Sequence, residues 1–158
     1  FYPNGRIGIK ETYSNGLLDG KFESYYDQGF FLREKGQYKL VKPALDKIRN
    51  KLDTIIVKSN GDTIKVEKDP LMKFREKQKE SVKNGLWVVY FDGTNIPYQK
   101  ANYVNGRLSG PFTTFYSNGN TQSKIIYQNG RKNGVSKFYD KNGKLVKKTK
   151  YILDNKVD

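Results

Sequence analysis

Aromatic and β-branched residues occur in this chain in short runs that are separated by turn-forming dipeptides. Residues 112–116 and 123–127 are two such runs, and each has the length and composition of a single strand. Asn-Gly, the strongest short hairpin signal, separates many of them, because a two-residue type I′ turn needs positive φ at both central residues. Nine Asn-Gly pairs occur, and eight fall where the pattern predicts turns of a repeat. The pattern therefore predicts an all-β fold.

Two phrases recur along the chain and define a repeat. The first, Tyr-x-Asn-Gly-x-x-x-Gly, begins at Tyr13, Tyr103 and Tyr127, and Tyr103, Tyr127 and Tyr151 are spaced by 24 residues. The second is an aromatic pair followed by a turn, and its copies begin at Phe1, Tyr25, Tyr90, Phe115 and Phe138. Each unit thus holds two strands and two turns. Because a lone hairpin is marginal in water, the repeats are predicted to stack into an elongated, twisted antiparallel sheet.

One insertion interrupts the period between Tyr38 and Gly85. The chain is therefore predicted to comprise hairpin repeats at 1–40 with a truncated first unit, a basic insertion at 41–84, and repeats at 85–158 that end in a capping unit. Within the insertion, the pattern predicts a helix over 44–52, a hairpin from strands at 54–58 and 63–67, and a second helix from Asp69 to about Val82. This mixed α/β insertion is predicted to be a helix-hairpin-helix.

The net charge of +14 is concentrated in two segments. Residues 41–83 carry twelve basic and seven acidic side chains, and residues 131–158 carry nine and three. Two interpretations of the C-terminal lysines stay open. In the first, these lysines discourage edge-to-edge strand pairing at a terminal unit. In the second, they bind an anionic partner.

Cysteine and histidine are absent, which excludes thiol nucleophiles, disulfides, Cys/His metal sites and the usual general base. Acidic residues are scattered, and residues 84–130 contain only Asp92. No run of twenty apolar residues occurs, so no transmembrane helix is predicted. We expect a protein that is not an enzyme and that needs no metal or other cofactor.

The phrases Y-x-N-G-x-x-x-G and [FY]-Y-x-N-G resemble the MORN-repeat variant common in bacterial proteins, some of which are antitoxin-like. The resemblance covers residues 1–38 and 85–158. It implies an elongated sheet of hairpins that serves as an interaction scaffold. An antitoxin-like binder that neutralises its partner is one alternative that it implies, and association with membrane lipid is another.

We expect a protein-interaction scaffold or accessory subunit of a bacterial cell-envelope complex, which binds its partner through the repeat sheet and the basic insertion. The start at Phe1 fits a removed signal peptide and favours the periplasm or cell envelope, with the cytoplasm as the alternative. Electrostatic binding of anionic lipid or nucleic acid is a second class of function. Nucleic acid is the less favoured ligand because lysines outnumber arginines and no recognised nucleic-acid module occurs.

Candidate partner-binding residues come from the insertion, from its junction with the sheet and from the C-terminal strands. Trp87 has two interpretations, since it either anchors a partner or packs where the insertion rejoins the sheet. The candidates are Met72, Lys73, Phe74, Arg75, Trp87, Lys137 and Lys148.

Overall fold

The computed structural model describes residues 1–27, 31–42, 56–59, 62–65 and 79–157, and every regular element within these ranges is a β-strand. The predicted all-β class is confirmed. In chain order the strands are β1 (Ile9–Ser14), β2 (Leu17–Tyr25), β3 (Leu32–Val41), β4 (Ile56–Ser59), β5 (Asp62–Lys65), β6 (Glu80–Tyr90), β7 (Pro97–Val104), β8 (Arg107–Phe115), β9 (Thr121–Gln128), β10 (Arg131–Lys132), β11 (Gly134–Tyr139), β12 (Leu145–Ile152) and β13 (Asn155–Val157).

Eleven of the described strands form one antiparallel sheet in the order β1-β2-β3-β6-β7-β8-β9-β11-β12-β13, and the short β10 also pairs with β9. Neighbouring strands of the sheet follow one another in sequence, except that the step from β3 to β6 skips β4 and β5 and the step from β9 to β11 skips the short β10. By compactness the chain divides into two units, Phe1–Lys39 with Ser81–Asp158 and Leu40–Glu80. The sheet of stacked hairpins is what the repeat predicted.

The predicted insertion is described only in part. Strands β4 and β5 pair in antiparallel register from Ile56 opposite Lys65 to Ser59 opposite Asp62, so the predicted hairpin is present. The predicted helix over 44–52 lies outside the described residues. The second predicted helix is wrong at its C-terminal end, because residues 80–82 begin β6. The chain is already part of the sheet there: the Gly106 amide donates to the Lys83 carbonyl.

Type I′ turns close three hairpins, as the Asn-Gly pairs predicted. Both central residues have positive φ in the turns Asn15–Gly16, Asn105–Gly106 and Asn129–Gly130. The final turn also has positive φ at both central residues, Leu153 and Asp154, although leucine rarely adopts this conformation. At the other end of the hairpins, Gly5, Gly119 and Gly143 have positive φ in three-residue loops, the form in which a type I turn is followed by a glycine bulge.

Two Asn-Gly pairs that the pattern assigned to turns are not turns. Asn84–Gly85 lies inside β6. In the second pair, Asn133 connects β10 to β11, and Gly134 is the first residue of β11. Both glycines have positive φ, and each is paired with a repeat tyrosine, Tyr103 or Tyr151. The glycine conformation interrupts the regular strand geometry there without reversing the chain.

Most of the described hydrophobic core is a layer on one side of the sheet, which we call the aromatic face; the buried Val88, next to Trp87 in β6, lies on the other side. Its centre is Trp87, whose side chain is 2% exposed and stacks on Phe22 with ring centroids 5.4 Å apart. Tyr38 meets the same indole edge-on at 5.1 Å. Gly36 provides the space, because a Cβ on that residue would lie 2.2 Å from the indole carbons.

Tyrosine hydroxyls join successive units along one end of the hairpins. Tyr2, Tyr26 and Tyr116 each donate a hydrogen bond to a backbone carbonyl of the following unit, namely those of Tyr25, Tyr90 and Tyr139. The separation is 23 residues for the first and last bonds and 64 for the bond that crosses the insertion. The two groups of repeats therefore join through the same contact that joins adjacent repeats.

Candidate binding surface

A lysine occurs three residues before the repeat tyrosine in every unit. These lysines are Lys10, Lys35, Lys100, Lys124 and Lys148, and all five are exposed. Successive residues of a strand point to opposite faces, so a spacing of three places each lysine on the face opposite its tyrosine. We call this side of the sheet the lysine face.

In the C-terminal repeats the strand register places these lysines in one line across the sheet, with one residue of an intervening strand between each pair. Lys100 lies opposite Thr113, Thr113 opposite Lys124, Lys124 opposite Lys137, and Lys137 opposite Lys148. We call these five residues the lysine row. Neighbouring strands are about 4.8 Å apart, so the row extends over about 19 Å across five strands. The structure thus places two predicted site residues, Lys137 and Lys148, directly opposite each other on neighbouring strands.

The N-terminal repeats balance the charge at the same positions. Glu23 lies between Lys10 and Lys35 in the register, and its carboxylate is 3.9 Å from the Lys10 ammonium. Interaction with Tyr25 and, to a smaller extent, with Glu23 raises the pKa of Lys10. The residues that take the place of Glu23 in the C-terminal repeats are Val88, Thr113 and Lys137, and Val88 lies opposite Lys100. The lysine row therefore contains no carboxylate.

The few acidic groups of the C-terminal strands accept hydrogen bonds from backbone amides and do not pair with the lysine row. Residues 97–157 contain twelve Lys and Arg but only two acidic residues, Asp140 and Asp154. The Asp140 carboxylate accepts from the amides of Asn142 and Lys144, and that of Asp154 accepts from the amide of Lys132. Among the residues that the structure describes, Lys124, Lys137 and Lys148 have no ion-pair partner. Their positive potential is directed to solvent.

A second row runs parallel to the lysine row on the same face. It consists of Pro111, Ile126 and Val135, each two residues along its strand from a member of the lysine row, and we call it the aliphatic row. Pro111 lies opposite the half-buried Ile126, the Val135 side chain is 43% exposed, and the row ends at Lys150, which lies opposite Val135. The two rows are about 7 Å apart, the length of two strand residues. The surface therefore offers adjacent basic and apolar stripes.

The other candidates from the sequence are not at this surface. Trp87 is wrong as a surface anchor, because Phe22, Gly36 and Tyr38 enclose its ring and its Nε1 donates to the Gln37 carbonyl at 3.1 Å. This is the packing that the alternative interpretation predicted. Met72, Lys73, Phe74 and Arg75 lie outside the described residues.

Sequence reasoning missed Lys100 and Lys124 as members of the surface. The signal was present, since Lys100, Lys124 and Lys148 are 24 residues apart and each precedes a repeat tyrosine by three. What the sequence did not reveal was that Lys137, from the intervening strand, falls into the same row. That alignment depends on how the bulges shift the register.

Two further findings concern the described part of the chain. Within the described ranges, no three His, Cys, Asp or Glu side chains cluster as they would to bind a metal ion. No described helix has the length and apolar character needed to cross a membrane.

The repeat geometry coincides with a known repeat family. Residues 108–129 and 132–152 match the MORN repeat variant. These MORN segments contain β8–β9 and β11–β12, and they hold four of the five members of the lysine row. MORN repeats generally bind proteins or membrane lipids. Comparison of the chain with curated proteins and with solved structures gives no match.

Proposed function

We propose that this protein is a non-catalytic scaffold that holds a partner protein on the lysine face of its C-terminal MORN repeats. The lysine row carries the proposal. Like charges directly opposite on neighbouring strands destabilise a sheet. Lys137 lies directly opposite both Lys124 and Lys148. Lys124 and Lys148 are exposed and Lys137 is half-buried, so none of the three belongs to the buried core, and an anionic partner gives the physical reason for them.

The construction of the sheet suits this role. Tyrosine hydroxyl bonds fix the units to one another, so the lysines are held in a defined line before a partner arrives. A preorganised surface loses less conformational freedom on binding. Exposed lysines also attract an anionic partner over a distance set by the salt concentration, and they raise the association rate.

Capture from native cells tests the proposal. Wild-type protein, the variant K124Q/K137Q/K148Q and the matched control K10Q/K21Q/K35Q are used as bait, and the captured proteins are identified and quantified. The control removes three lysines of the lysine face from the N-terminal repeats. We expect a specific partner to be retained by the wild type and the control and to be lost from the first variant. Equal capture by all three proteins would contradict the role of the lysine row.

The insertion is the second element through which we propose that a partner is contacted. It is tested by replacing residues 42–79 with Asn-Gly, which joins the neighbouring strands β3 and β6 by a two-residue hairpin turn. We expect the sheet to fold and the partner to bind less tightly. Unchanged affinity would assign binding to the repeats alone.

The nature and location of the partner are narrower proposals. Toxin neutralisation is the alternative that the family resemblance suggests, and co-expression with a candidate toxin tests it through rescue of growth. A place in a bacterial cell envelope stays a prediction of the sequence. Fractionation of native cells decides between envelope and cytoplasm.

A further inference from the structure

We infer that the partner contacts the lysine face through an acidic amphipathic α-helix that lies across the strands. This inference rests on the proposed function and adds the chemistry of the bound segment. It is carried by the pairing of two parallel stripes, the lysine row and the aliphatic row, on the same strands. The lysine row is complementary to carboxylates, and the aliphatic row is complementary to apolar side chains.

The spacing of the stripes matches the geometry of a helix. Along the row, one strand follows another about every 4.8 Å, and a helix advances about 5.4 Å per turn. A helix laid along the row therefore presents about one side chain to each strand from positions i, i+3 or i+4, and i+7. The row length of about 19 Å corresponds to about 13 helical residues.

The helix has to be amphipathic in a particular way. Its acidic stripe meets Lys124, Lys137 and Lys148, and an adjacent apolar stripe meets Ile126 and Val135. Charge attraction at exposed groups is weak and falls with salt, whereas burial of the aliphatic row is insensitive to salt. Both contributions are needed for a specific complex.

The composition of the two rows favours a protein segment over other anions. The lysine row contains no arginine, and lysine binds a phosphate as a point charge without the bidentate geometry of a guanidinium. Neither row contains an aromatic side chain on which a base could stack, and the Phe115 ring beside the lysine row is already covered by the Lys100 ammonium at 5.5 Å. The aliphatic row also lacks the Trp, Phe and Leu side chains that anchor a protein surface in a bilayer.

Binding of defined probes to the full chain tests the inference. The probes are an 18-residue peptide with a Glu stripe beside a Leu stripe, a scrambled peptide of the same composition, a single-stranded DNA oligonucleotide, and vesicles that contain phosphatidylserine. We expect the striped peptide to bind at least about tenfold more tightly than the scrambled peptide. K124Q/K137Q/K148Q should lower that affinity about tenfold or more, and K10Q/K21Q/K35Q should change it less than about twofold.

The aliphatic row is tested separately with V135T, a substitution of nearly the same shape at an exposed position. We expect a loss of a few fold in the affinity for the striped peptide, with the same dependence on salt as the wild type. I126T tests a second member of the aliphatic row in the same way. Thermal unfolding of each variant checks that it is folded. V135T binding as tightly as the wild type would overturn the apolar part of the inference.

The possible failures are distinguishable from one another. Equal affinity for striped and scrambled peptides would reduce the site to general charge attraction and would overturn the helix. Tighter binding of the oligonucleotide or the vesicles would assign the row to another class of ligand. If the striped peptide fails to bind but native capture still depends on the lysine row, the helix is wrong and the scaffold stands. If neither depends on the row, both proposals fail.

Discussion

At the scale of single residues, the fold depends on small side chains that make room for large ones. Trp87 is buried because Gly36, on the neighbouring strand, presents no side chain to it. The sequence showed that Trp87 belongs to an apolar strand but not that it is buried. The deciding contact joins residues about fifty positions apart, and their alignment requires the β3–β6 pairing across the insertion.

Gly36→Ala tests this contact. The new methyl group would lie 2.2 Å from the indole, so the ring must shift. We expect the free energy of unfolding to fall by about 2 kcal/mol, the usual range for an overpacked core being about 1–3 kcal/mol. Chemical denaturation gives the value. Gly8→Ala is the control, since its added methyl would make only ordinary contact with Tyr2 at 3.4 Å; an equal effect of the two substitutions would refute the packing argument.

Ser136 is a second position where one residue sets the local energy. It is 1% exposed, and its hydroxyl has no hydrogen-bond partner among the described residues. We expect Ser136→Ala to leave the free energy of unfolding unchanged or to raise it by up to about 1 kcal/mol, because an unsatisfied buried hydroxyl is unfavourable. Ser123→Ala is the comparison: its hydroxyl is 2.8 Å from that of Thr114, so its loss should lower stability by about 1 kcal/mol. A clear loss of stability in Ser136→Ala would contradict the interpretation.

At the scale of elements, turns were the most predictable part and register the least. Asn-Gly encodes positive φ locally, so three type I′ turns followed directly from the sequence. Asn84–Gly85 and Asn133–Gly134 carry the same local signal but lie within or beside strands, because pairing with neighbouring strands overrides it. Strand pairing also explains why the helix predicted from Asp69 does not extend to Val82, because Val82 belongs to β6.

The last hairpin provides a test of turn chemistry. Leu153 has a φ of 49°, which is a left-handed conformation, and its side chain is 49% exposed, so hydrophobic burial offsets little of the strain. We expect Leu153→Asn to raise the free energy of unfolding by about 0.5–1 kcal/mol, since Asn tolerates this conformation and leucine does not. Asn129→Leu makes the reverse change at a φ of 51° in the preceding hairpin and should lower stability similarly. Thermal melts measure both, and effects of the same sign would show that turn strain is not the cause.

At the scale of the whole molecule, charge is distributed unevenly over a regular sheet. The repeats at both ends place lysines at equivalent positions, but only the N-terminal repeats place Glu23 between them. The sequence indicated an excess of charge near the C-terminus and identified Lys137 and Lys148. It did not show that they form one row with Lys100 and Lys124, because strand register decides which face and which neighbour each lysine meets.

Lys137 stands between two other lysines, so its removal should relieve repulsion. We expect Lys137→Gln to raise the free energy of unfolding by a few tenths of a kcal/mol at low salt, and we expect the gain to disappear at about 1 M salt, where charges are screened within about 3 Å. Denaturation at the two salt concentrations measures the difference. Lys35→Gln, which removes a lysine beside Glu23, should give no such gain; a gain that persists at high salt would show that repulsion is not its source.

The most direct test of the central claim compares native partner capture by the wild type and by K124Q/K137Q/K148Q in the same experiment, with each variant shown to be folded. If the protein binds its partner through the lysine row, we expect the variant to keep or gain stability and to lose its partner. A variant that is folded and still retains the same partner in the same amount would contradict it.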